Sequence, residues 1–310
     1  GDPSMKLQFV TSGLRTTTQD LGRPGHTHMG VPTGGALDSS AMRYANHLVG
    51  NALAAPVLEV TLSGPHLHCL EAGRVALVGS GFDLLLNGEP QPPLLPISVN
   101  PGDELIIKSS GNGCRAYLSV SGQWHAERWL GSASALRIGS HELLPGAVWT
   151  RGDVLETRDR SVKPWPSTLL VPQTPSKIIK VSPGPEYEWL DHHGQSQLLS
   201  KRIRVIDPSN RVGLRTDTQI QLREDKRRVK MVSSGVQPGT VQLTHGGQAI
   251  ILMRDGQTIG GYPRVLQCAS QSLDQLAHLK FCDELVPVSY THLRAHETVA
   301  QLVCRLLLEK

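Results

Sequence analysis

The stretch that indicates the fold is VLEVTL-SGP-HLHCL-EAG-RVALV, which occupies positions 57–78. It contains three short segments rich in aliphatic residues, and each break between them includes a glycine. Segments of this length between turn signals are typical of β-strands. The pattern recurs at 104–108 and 115–120, so the sequence predicts a mainly β fold with the regular strand spacing of a barrel or sandwich.

A few helices interrupt this pattern. They are predicted over residues 39–49, 272–277 and 289–310. Asp38 can cap the first helix and Gly50 can end it, since a short polar acceptor starts helices and glycine stops them. Ser272 and Gln275 have the spacing of a capping box. Ser289 can begin a C-terminal helix whose apolar stripe is typical of a docking surface.

The domain boundary is predicted near the middle of the chain, which at 310 residues is long enough for two hydrophobic cores. Residues 1–5 resemble a protease scar followed by an initiator methionine, so we expect them to lie outside the fold. Four prolines without sustained periodicity make 161–176 the expected linker. We therefore predict an N-terminal β domain over 6–160, a C-terminal β-barrel domain over 177–288 and the helix over 289–310.

Composition and charge argue against several classes of protein. The formal charge is only +4, and the basic cluster at 223–230 contains Glu224 and Asp225 without aromatic residues, so we expect no nucleic-acid partner. The five cysteines include no CxxC pair, which argues for reduced thiols and against a thiolate zinc site. Because no long apolar run occurs, we expect no membrane span and a cytoplasmic location.

Polar residues and backbone-bending glycines and prolines are concentrated in the block 15–51, which indicates a site on irregular backbone. Asp20 and Arg23 can orient one another or a polar substrate, and with His28 they are the predicted catalytic residues. Asp38 could be a general base or a helix cap, and we favour the cap.

Substrate recognition is predicted from amide, guanidinium and phenol groups. The candidates are Gln19, Asn46, Asn210, Arg211, Gln242, Gln257 and Tyr262. Amides donate and accept at once, which suits an amide, urea or carboxylate ligand, although amides in turns also bond their own backbone. Arg211 can pair with an anion or form an ordinary surface salt bridge. Gly260 and Gly261 beside Tyr262 indicate a close approach of the backbone to a ligand or a neighbouring chain, or a tight turn between strands.

Common nucleotide, nucleophile and metal signatures are missing from the sequence. There is no GxxxxGK[ST], GxGxxG, GxSxG or HExxH motif. The histidine pairs, of which His26 and His28 lie in the glycine-rich block, come without a carboxylate at a familiar spacing, so no metal site is predicted. ATP or acyl chemistry would therefore need another kind of site or a partner protein.

Several blocks together resemble one protein family. They are TTTQDLGRPG (16–25), GVPTGGALD (30–38), ANHLVGN (45–51), RAYLSVSG (115–122), PGPEYEWL (183–190), SNRVGLR (209–215), SSGVQPGTVQL (233–243) and GQAIILMRDGQTIGGYP (247–263). In this order they are similar to the KipA or allophanate hydrolase subunit 2 family, also called the biotin-dependent carboxyltransferase family. Its bacterial members include the C subunit of ATP-dependent 5-oxoprolinase.

The resemblance implies a cyclophilin-like β-barrel fold and a partner protein. Family members work with a KipI-like protein, which in 5-oxoprolinase is the B subunit. In that enzyme an A subunit also takes part, and the three subunits together open 5-oxoproline to glutamate at the expense of ATP. On this hypothesis the loops around Asp20, Arg23 and His28 would hold the activated lactam. Two alternatives are a KipA-like regulator that binds a KipI-type kinase inhibitor, and an allophanate hydrolase or urea carboxylase type of carboxyltransferase subunit that receives its carboxyl group from a biotin carrier.

Overall fold

The N-terminal half contains two β-sheets and one long helix. The computed structural model describes residues 5–111, 113–138, 141–158, 175–200 and 202–290. The strands of this half are β1 (Lys6–Thr11), β2 (Arg15–Gln19), β3 (Val57–Thr61), β4 (His66–Glu71), β5 (Gly73–Ser80), β6 (Phe82–Leu86), β7 (Glu89–Pro90), β8 (Ile97–Val99), β9 (Glu104–Ser109), β10 (Arg115–Val120), β11 (Gln123–Trp124), β12 (Arg137–Ile138), β13 (His141–Glu142) and β14 (Val154–Arg158).

The two sheets enclose a shared core. The larger sheet has the order β11-β14-β1-β4-β9-β6-β7, and the smaller has the order β2-β3-β10-β5-β8, while β12 and β13 pair separately. Phe9 and Leu67 from the larger sheet belong to the same buried cluster as Leu118 and Val75 from the smaller one. The alternation of inward and outward side chains along each strand builds this sandwich.

Helix α1 (Ser39–Val49) covers the other face of the smaller sheet, where Met42, Ala45 and Val49 pack against Tyr117. All six residues of β10 are buried because their sheet is covered on both faces. The Asp38 carboxylate accepts a hydrogen bond from the Ala41 amide at 2.8 Å, and Gly50 ends the helix in the left-handed conformation. The predicted first helix and both of its caps are confirmed.

The C-terminal half is a closed barrel of seven strands in the order β15-β22-β19-β20-β17-β16-β23. Its strands, with the separate pair β18 and β21, are β15 (Ile178–Pro183), β16 (Ile203–Ile206), β17 (Gly213–Thr216), β18 (Ser234–Gly235), β19 (Thr240–Leu243), β20 (Ala249–Leu252), β21 (Ile259–Gly260), β22 (Arg264–Cys268) and β23 (Glu284–Ser289). Parallel pairing of β15 with β23, which places Ile178 opposite Val286, closes the ring. Closure leaves no free sheet edge.

Two more α-helices accompany the barrel, α2 (His192–Ser200) and α3 (Ser270–Leu276). Short 3-10 helices occur at Thr27–Met29, Pro145–Ala147 and Tyr187–Trp189. The predicted capping box is wrong, because α3 begins before Ser272. The Ser272 hydroxyl instead accepts a hydrogen bond from the Lys180 amide at 2.9 Å, and the Gln275 side chain accepts one from the Ser176 amide. Both side chains therefore tie the helix to β15 and the residues just before it.

The mainly β fold is confirmed, and the barrel prediction holds for the C-terminal half, whereas the N-terminal half consists of open sheets. Met5 was expected to lie outside the fold together with residues 1–4. It is instead fully buried in the core of the sandwich. Ser289 is the last residue of a strand and does not begin a helix. The rest of the C-terminal helix and nearly all of the predicted linker, residues 291–310 and 161–174, lie outside the described residues.

Contacts between the sandwich and the barrel are extensive. Leu37 precedes α1 but belongs to the buried core of the barrel. The second oxygen of the Asp38 carboxylate lies 2.7 Å from Nε2 of His278, on the far side of the interface. Within the described ranges, no helix combines the length and apolar character needed to cross a membrane.

Candidate functional site

A groove of about 1160 Å³ separates the N-terminal loop, which we define as residues 21–33, from the barrel. Pro24, Thr27 and His28 line the side of the loop, while Gln237 and Arg254 are among the lining residues of the barrel. A concave space with polar side chains between two domains is the usual form of a small-molecule site. We take this groove as the candidate functional site.

The N-terminal loop is held at both ends by backbone hydrogen bonds. The Arg23 amide donates to the Thr33 carbonyl at 2.7 Å, and the Gly34 amide donates to the Arg254 carbonyl at 2.9 Å. Gly22 has a φ of +83°, and a Cβ at this position would overlap the Thr33 carbonyl oxygen. Only glycine fits so close an approach without strain. The glycines of this block therefore shape one wall of the groove.

Asp20 is buried beneath the loop, with 3% of the residue exposed. Its carboxylate accepts hydrogen bonds from the Ser132 hydroxyl at 2.5 Å, the Ser134 hydroxyl at 2.6 Å, and the amides of Ala133 and Gly22, both at 2.8 Å. This set of donors satisfies a buried charge and fixes the loop on its support. The structure thus shows an anchoring position for Asp20, and its catalytic role stays a prediction.

Arg23 points inward beside Asp20 and is 1% exposed. Its Nη2 donates to the Ser134 carbonyl at 2.6 Å, and its guanidinium carbon lies 5.4 Å from the ring centroid of Trp129. Burial lowers the pKa of this guanidinium, and the nearby Arg211 contributes in the same direction, although Asp20 and Asp255 oppose the shift. Arg23 is therefore placed to support the loop from below.

His28 is the predicted catalytic residue that lines the groove. It lies in the short 3-10 helix Thr27–Met29 and is exposed, unlike Asp20 and Arg23. An exposed imidazole beside a concave site can exchange protons with a ligand. Of the three catalytic candidates, His28 has the position that direct contact with a substrate requires.

Arg211 lies at the centre of an ion-pair network between the two halves. Its Nε and Nη2 donate to the Asp255 carboxylate at 2.7 and 2.9 Å, and its Nη1 donates to Glu59 at 2.6 Å. Nη2 also donates to the Gly35 carbonyl at 2.6 Å and contacts the Gln19 amide oxygen at 3.4 Å. These partners occupy the guanidinium. The structure therefore brings Gln19 and Arg211 together in a contact between the two halves, and their predicted contact with a substrate stays a prediction.

The network determines the charge states of its members. Burial would raise the pKa of the Glu59 carboxyl, but Arg211, Arg115 and the Leu37 amide outweigh it, so this pKa lies below its ordinary value. Burial by itself would lower the pKa of the Arg211 guanidinium. The carboxylates of Asp255 and Glu59 outweigh burial, so this pKa lies above its ordinary value. Glu59 and Arg211 are thus both charged near neutral pH.

Gln242, Gln257 and Tyr262 form a second predicted group, next to the groove residues Thr258 and Ile259. Gln257 donates from Nε2 to Oε1 of Gln242 at 3.2 Å, and Gln242 donates to the Tyr262 carbonyl at 3.4 Å. Gln242 itself is 1% exposed. The backbone at Gly260 approaches this side chain of the same chain, because a Cβ there would overlap the Gln242 amide, and the predicted approach to a ligand or a neighbouring chain stays a prediction. Gln242 therefore shapes the groove wall from behind.

Asn46 and Asn210 do not line the groove. The Asn46 amide donates to the Ala55 carbonyl at 2.7 Å and accepts from the Ser119 hydroxyl at 2.6 Å, which anchors the end of α1. The Asn210 side chain accepts from the Val212 amide at 2.8 Å, as turn residues commonly do. Their predicted substrate contacts remain untested predictions.

Two arginines that the sequence analysis did not select also line the groove. Arg264 forms a bidentate ion pair with Glu186, with distances of 2.9 and 2.8 Å from Nε and Nη2. Arg254 follows soon after β20 and has no comparably close ion-pair partner within the described part of the chain. Its adjacency to Asp255 was the only sequence signal, and it did not distinguish Arg254 from a surface arginine.

Cys268 lines the groove but is not suited to be a nucleophile. It is buried, and this burial raises the pKa of its thiol to about 12. The reactive form of cysteine is the thiolate, which such a thiol almost never adopts near neutral pH. The residues described also include no group of three His, Cys, Asp or Glu side chains that could hold a metal ion.

Fold and site together define a mainly β protein in which a groove, lined by apolar and polar side chains, lies between a loop of the sandwich half and a closed barrel. The chain belongs to the carboxyltransferase domain family, subdomains A and B, whose model matches residues 29–286. This match confirms the resemblance found in the sequence blocks.

Comparison with known proteins gives nearer relatives. The chain is 34% identical to the C subunit of 5-oxoprolinase from Escherichia coli strain K12, and the match covers 88% of this chain and 87% of that protein. It is 30% identical to urea amidolyase of Lachancea kluyveri over 92% of this chain and 17% of that protein. The crystal structure of Kluyveromyces lactis urea carboxylase matches with a TM-score of 0.84 and 27% identity, over 94% of this chain and 28% of that one.

The chain is thus homologous to the 5-oxoprolinase C subunit over most of both lengths. It is also related to a region of urea amidolyase and urea carboxylase, of which it spans less than a third. The same architecture therefore occurs in a separate bacterial subunit and within much longer fungal enzymes.

Proposed function

We propose that this chain is the C subunit of an ATP-dependent 5-oxoprolinase, which acts in the cytoplasm with an A subunit and a KipI-like B subunit to open 5-oxoproline to glutamate. The observation that carries the proposal is the 34% identity to the Escherichia coli protein across 87% of its length. A match at nearly full length favours this function over that of the longer fungal relatives.

The groove supports the proposal because it offers groups suited to a polar cyclic amide. Thr27, His28 and Gln237 line it together with the two arginines. Hydroxyl and amide side chains can donate to a lactam oxygen and accept from its N–H. Donors fixed before the reaction stabilise oxyanion charge as it develops, which is the largest contribution in many hydrolases.

The groove offers few of the groups that usually bind ATP. Among its described lining residues the basic side chains are Arg254, Arg264 and His28, and Arg264 is already paired with Glu186. A bound triphosphate is normally met by a glycine-rich loop with lysine and a metal ion. We therefore place ATP at the level of the assembled complex and derive no step through it in this chain.

Reconstitution tests the proposed function. The chain is mixed with its cognate A and B subunits, and ATP hydrolysis is followed with and without 5-oxoproline. We expect 5-oxoproline to stimulate hydrolysis and glutamate to appear in proportion. ATP hydrolysis that does not respond to 5-oxoproline would rule the proposal out. Formation of a complex with a KipI-like protein without any turnover would favour the regulatory alternative.

A variant of His28 examines the groove within the same assay. We expect His28→Asn to lower turnover by about 10²-fold, the usual effect of removing a proton-transferring side chain, while the complex still assembles. His192→Asn is the matched control, since His192 is an exposed histidine on α2. Equal turnover in both variants would exclude His28 from the chemistry.

Carboxyl transfer is the second candidate, and the family match and the fold of urea carboxylase support it. On this alternative the carboxyl group arrives on biotin attached to a carrier protein. Transfer of labelled carboxyl from a carboxylated biotin carrier to urea, measured with this chain and its partner subunits, separates the two functions. The 5-oxoprolinase proposal predicts no such transfer.

A further inference from the structure

We propose that Arg254 is the anion-binding residue of the groove and that it holds the carboxylate of a small monoanionic substrate. The choice of 5-oxoproline as the main probe rests on the proposed function. The assignment of Arg254 itself rests on the charges, distances and burial around the groove.

The charge of the lining is one-sided. Its ionisable side chains, apart from the buried thiol, are Arg254, Arg264 and His28, and the described lining includes no Asp or Glu. Arg264 is neutralised by Glu186, which approaches it from outside the lining. A guanidinium, unlike an imidazole, cannot be deprotonated in proteins. Arg254 is therefore the permanent positive charge of the groove without a close counter-ion.

The surroundings of Arg254 leave its guanidinium unsatisfied. Only 20% of its side chain is exposed, and its Nε is buried without a hydrogen-bond partner among the residues described. The nearest carboxylate contact joins Nη2 to Asp274 at 3.9 Å, which is too long for a hydrogen bond. A partly buried arginine in this state gains considerably from an added oxyanion.

Asp274 makes no hydrogen bond to Arg254 among the described residues, because its oxygens accept from the start of α1. Its carboxylate accepts from the Ser39 amide at 2.9 Å and from the hydroxyls of Ser39 and Ser40 at 3.2 and 2.6 Å. Burial and the nearby Asp38 raise the pKa of this carboxyl, and Arg254 opposes the shift. Asp274 thus acts as a helix anchor, and Arg254 keeps its charge for a ligand.

Arg254 is also held in place. Its carbonyl accepts from the Gly34 amide at 2.9 Å, at the end of the N-terminal loop. The next residue, Asp255, is fixed by the bidentate contact with Arg211. A charged group whose backbone is fixed before binding loses less freedom when the ligand arrives. The two walls of the groove therefore meet at the backbone of Arg254.

The number of charges selects the class of ligand. One uncompensated guanidinium matches a single carboxylate, whose planar fork a guanidinium can bind through two hydrogen bonds. A triphosphate carries several charges and would leave most of them unmatched. 5-Oxoproline has one carboxylate beside its lactam, whereas 2-pyrrolidinone is the same lactam without the carboxylate. These two compounds isolate the predicted interaction.

The experiment measures binding by isothermal titration calorimetry, with the chain alone and in complex with its partner subunits. The ligands are 5-oxoproline, acetate, 2-pyrrolidinone and ATP, and the proteins are wild type, Arg254→Met, Arg254→Lys and Arg202→Met. Arg202 is the control because 76% of its side chain is exposed on the barrel. Thermal melting of each protein verifies that it is folded.

We expect Arg254→Met to weaken the binding of 5-oxoproline by about 10- to 100-fold and to leave 2-pyrrolidinone unchanged, since only the carboxylate contact is lost. The affinity of Arg254→Lys for 5-oxoproline should lie between those of wild type and Arg254→Met. The affinity of Arg202→Met should equal that of wild type. Equal affinities of wild type and Arg254→Met for 5-oxoproline overturn the inference. So does a variant that loses affinity for ATP alone, and so does a wild-type protein that binds neither 5-oxoproline nor acetate. Acetate binding that depends on Arg254, without 5-oxoproline-stimulated turnover, supports the inference while the proposed function fails.

Discussion

Arg211 of the barrel and Glu59 of the sandwich form a buried ion pair with 2.6 Å between Nη1 and Oε1, although 152 residues separate them in the chain. Asp255 on the same guanidinium completes a three-residue bridge between the halves. The bridge lies directly behind the N-terminal loop, because Arg211 also donates to the Gly35 carbonyl. The orientation of the groove walls thus depends on the ion pairs of Arg211 with Glu59 and Asp255, which join the two halves.

Removing Arg211 should therefore affect stability first. We expect Arg211→Met to lower the free energy of unfolding by about 3–5 kcal/mol, because two buried carboxylates lose their counter-charge. Urea denaturation followed by fluorescence measures the change, with the exposed Arg215→Met as the control from the same segment. A loss below about 1 kcal/mol would show that Arg211 is free for a ligand.

The Glu59 carboxylate predicts a specific pH dependence. Its pKa in the folded protein lies below the ordinary value of 4.5. Its contribution to stability is therefore fully present above the unfolded pKa and is lost as the pH falls through the folded one. Urea midpoints from about pH 7 to about pH 3 should decline more steeply in wild type than in Glu59→Gln. Parallel curves for the two proteins would contradict the proposed charge state.

Two glycines of the N-terminal loop should respond differently to alanine. Both have positive φ, but a Cβ on Gly22 would overlap the Thr33 carbonyl, whereas a Cβ on Gly25 would meet nothing within 4 Å. We expect Gly25→Ala to cost about 1–2 kcal/mol from backbone strain, and Gly22→Ala to cost about 1–3 kcal/mol more. Chemical denaturation measures both. Equal losses would show that the loop does not pack as tightly as described.

Cys268 should be inert although it lines the groove, because its thiol pKa is about 12. Iodoacetamide at about pH 8, followed by peptide mapping, should modify the exposed Cys282 and leave Cys268 unmodified until denaturant is added. Rapid modification of Cys268 in the folded protein would instead indicate a reactive groove thiol.

The local sequence pattern was sufficient to predict strand β10 and helix α1. The strand predicted over 115–120 coincides with β10, and the helix after Asp38 ends at Gly50 as expected. These features depend on the period of apolar residues and on residues that start or stop helices, both of which act over a few positions. Ser272 shows the limit of such signals, since its hydroxyl binds β15 where the local pattern indicated a cap.

The site was predictable only in outline. The block at 15–51 does form one wall of a groove, and His28 does line it. A buried structural Asp and Arg cannot be told from a catalytic pair by residue type alone. Asp20 and Arg23 are buried by contacts with residues distant in sequence, such as Ser134, which only the folded chain reveals. The only local signal for Arg254 was its position next to Asp255, because what distinguishes this arginine is the lack of a close counter-ion in space.

The sequence by itself determined the mainly β fold, the capped helix α1 and the family, since periodicity, turn residues and motif order are properties of neighbouring residues. The tertiary structure alone decided which polar residues face the groove and which join the two halves. Arg211 and Glu59 meet across 152 residues, and Asp38 meets His278 across 240. Burial and Coulomb interactions depend on distance in space, so only the folded chain separates the structural charges from those available to a ligand.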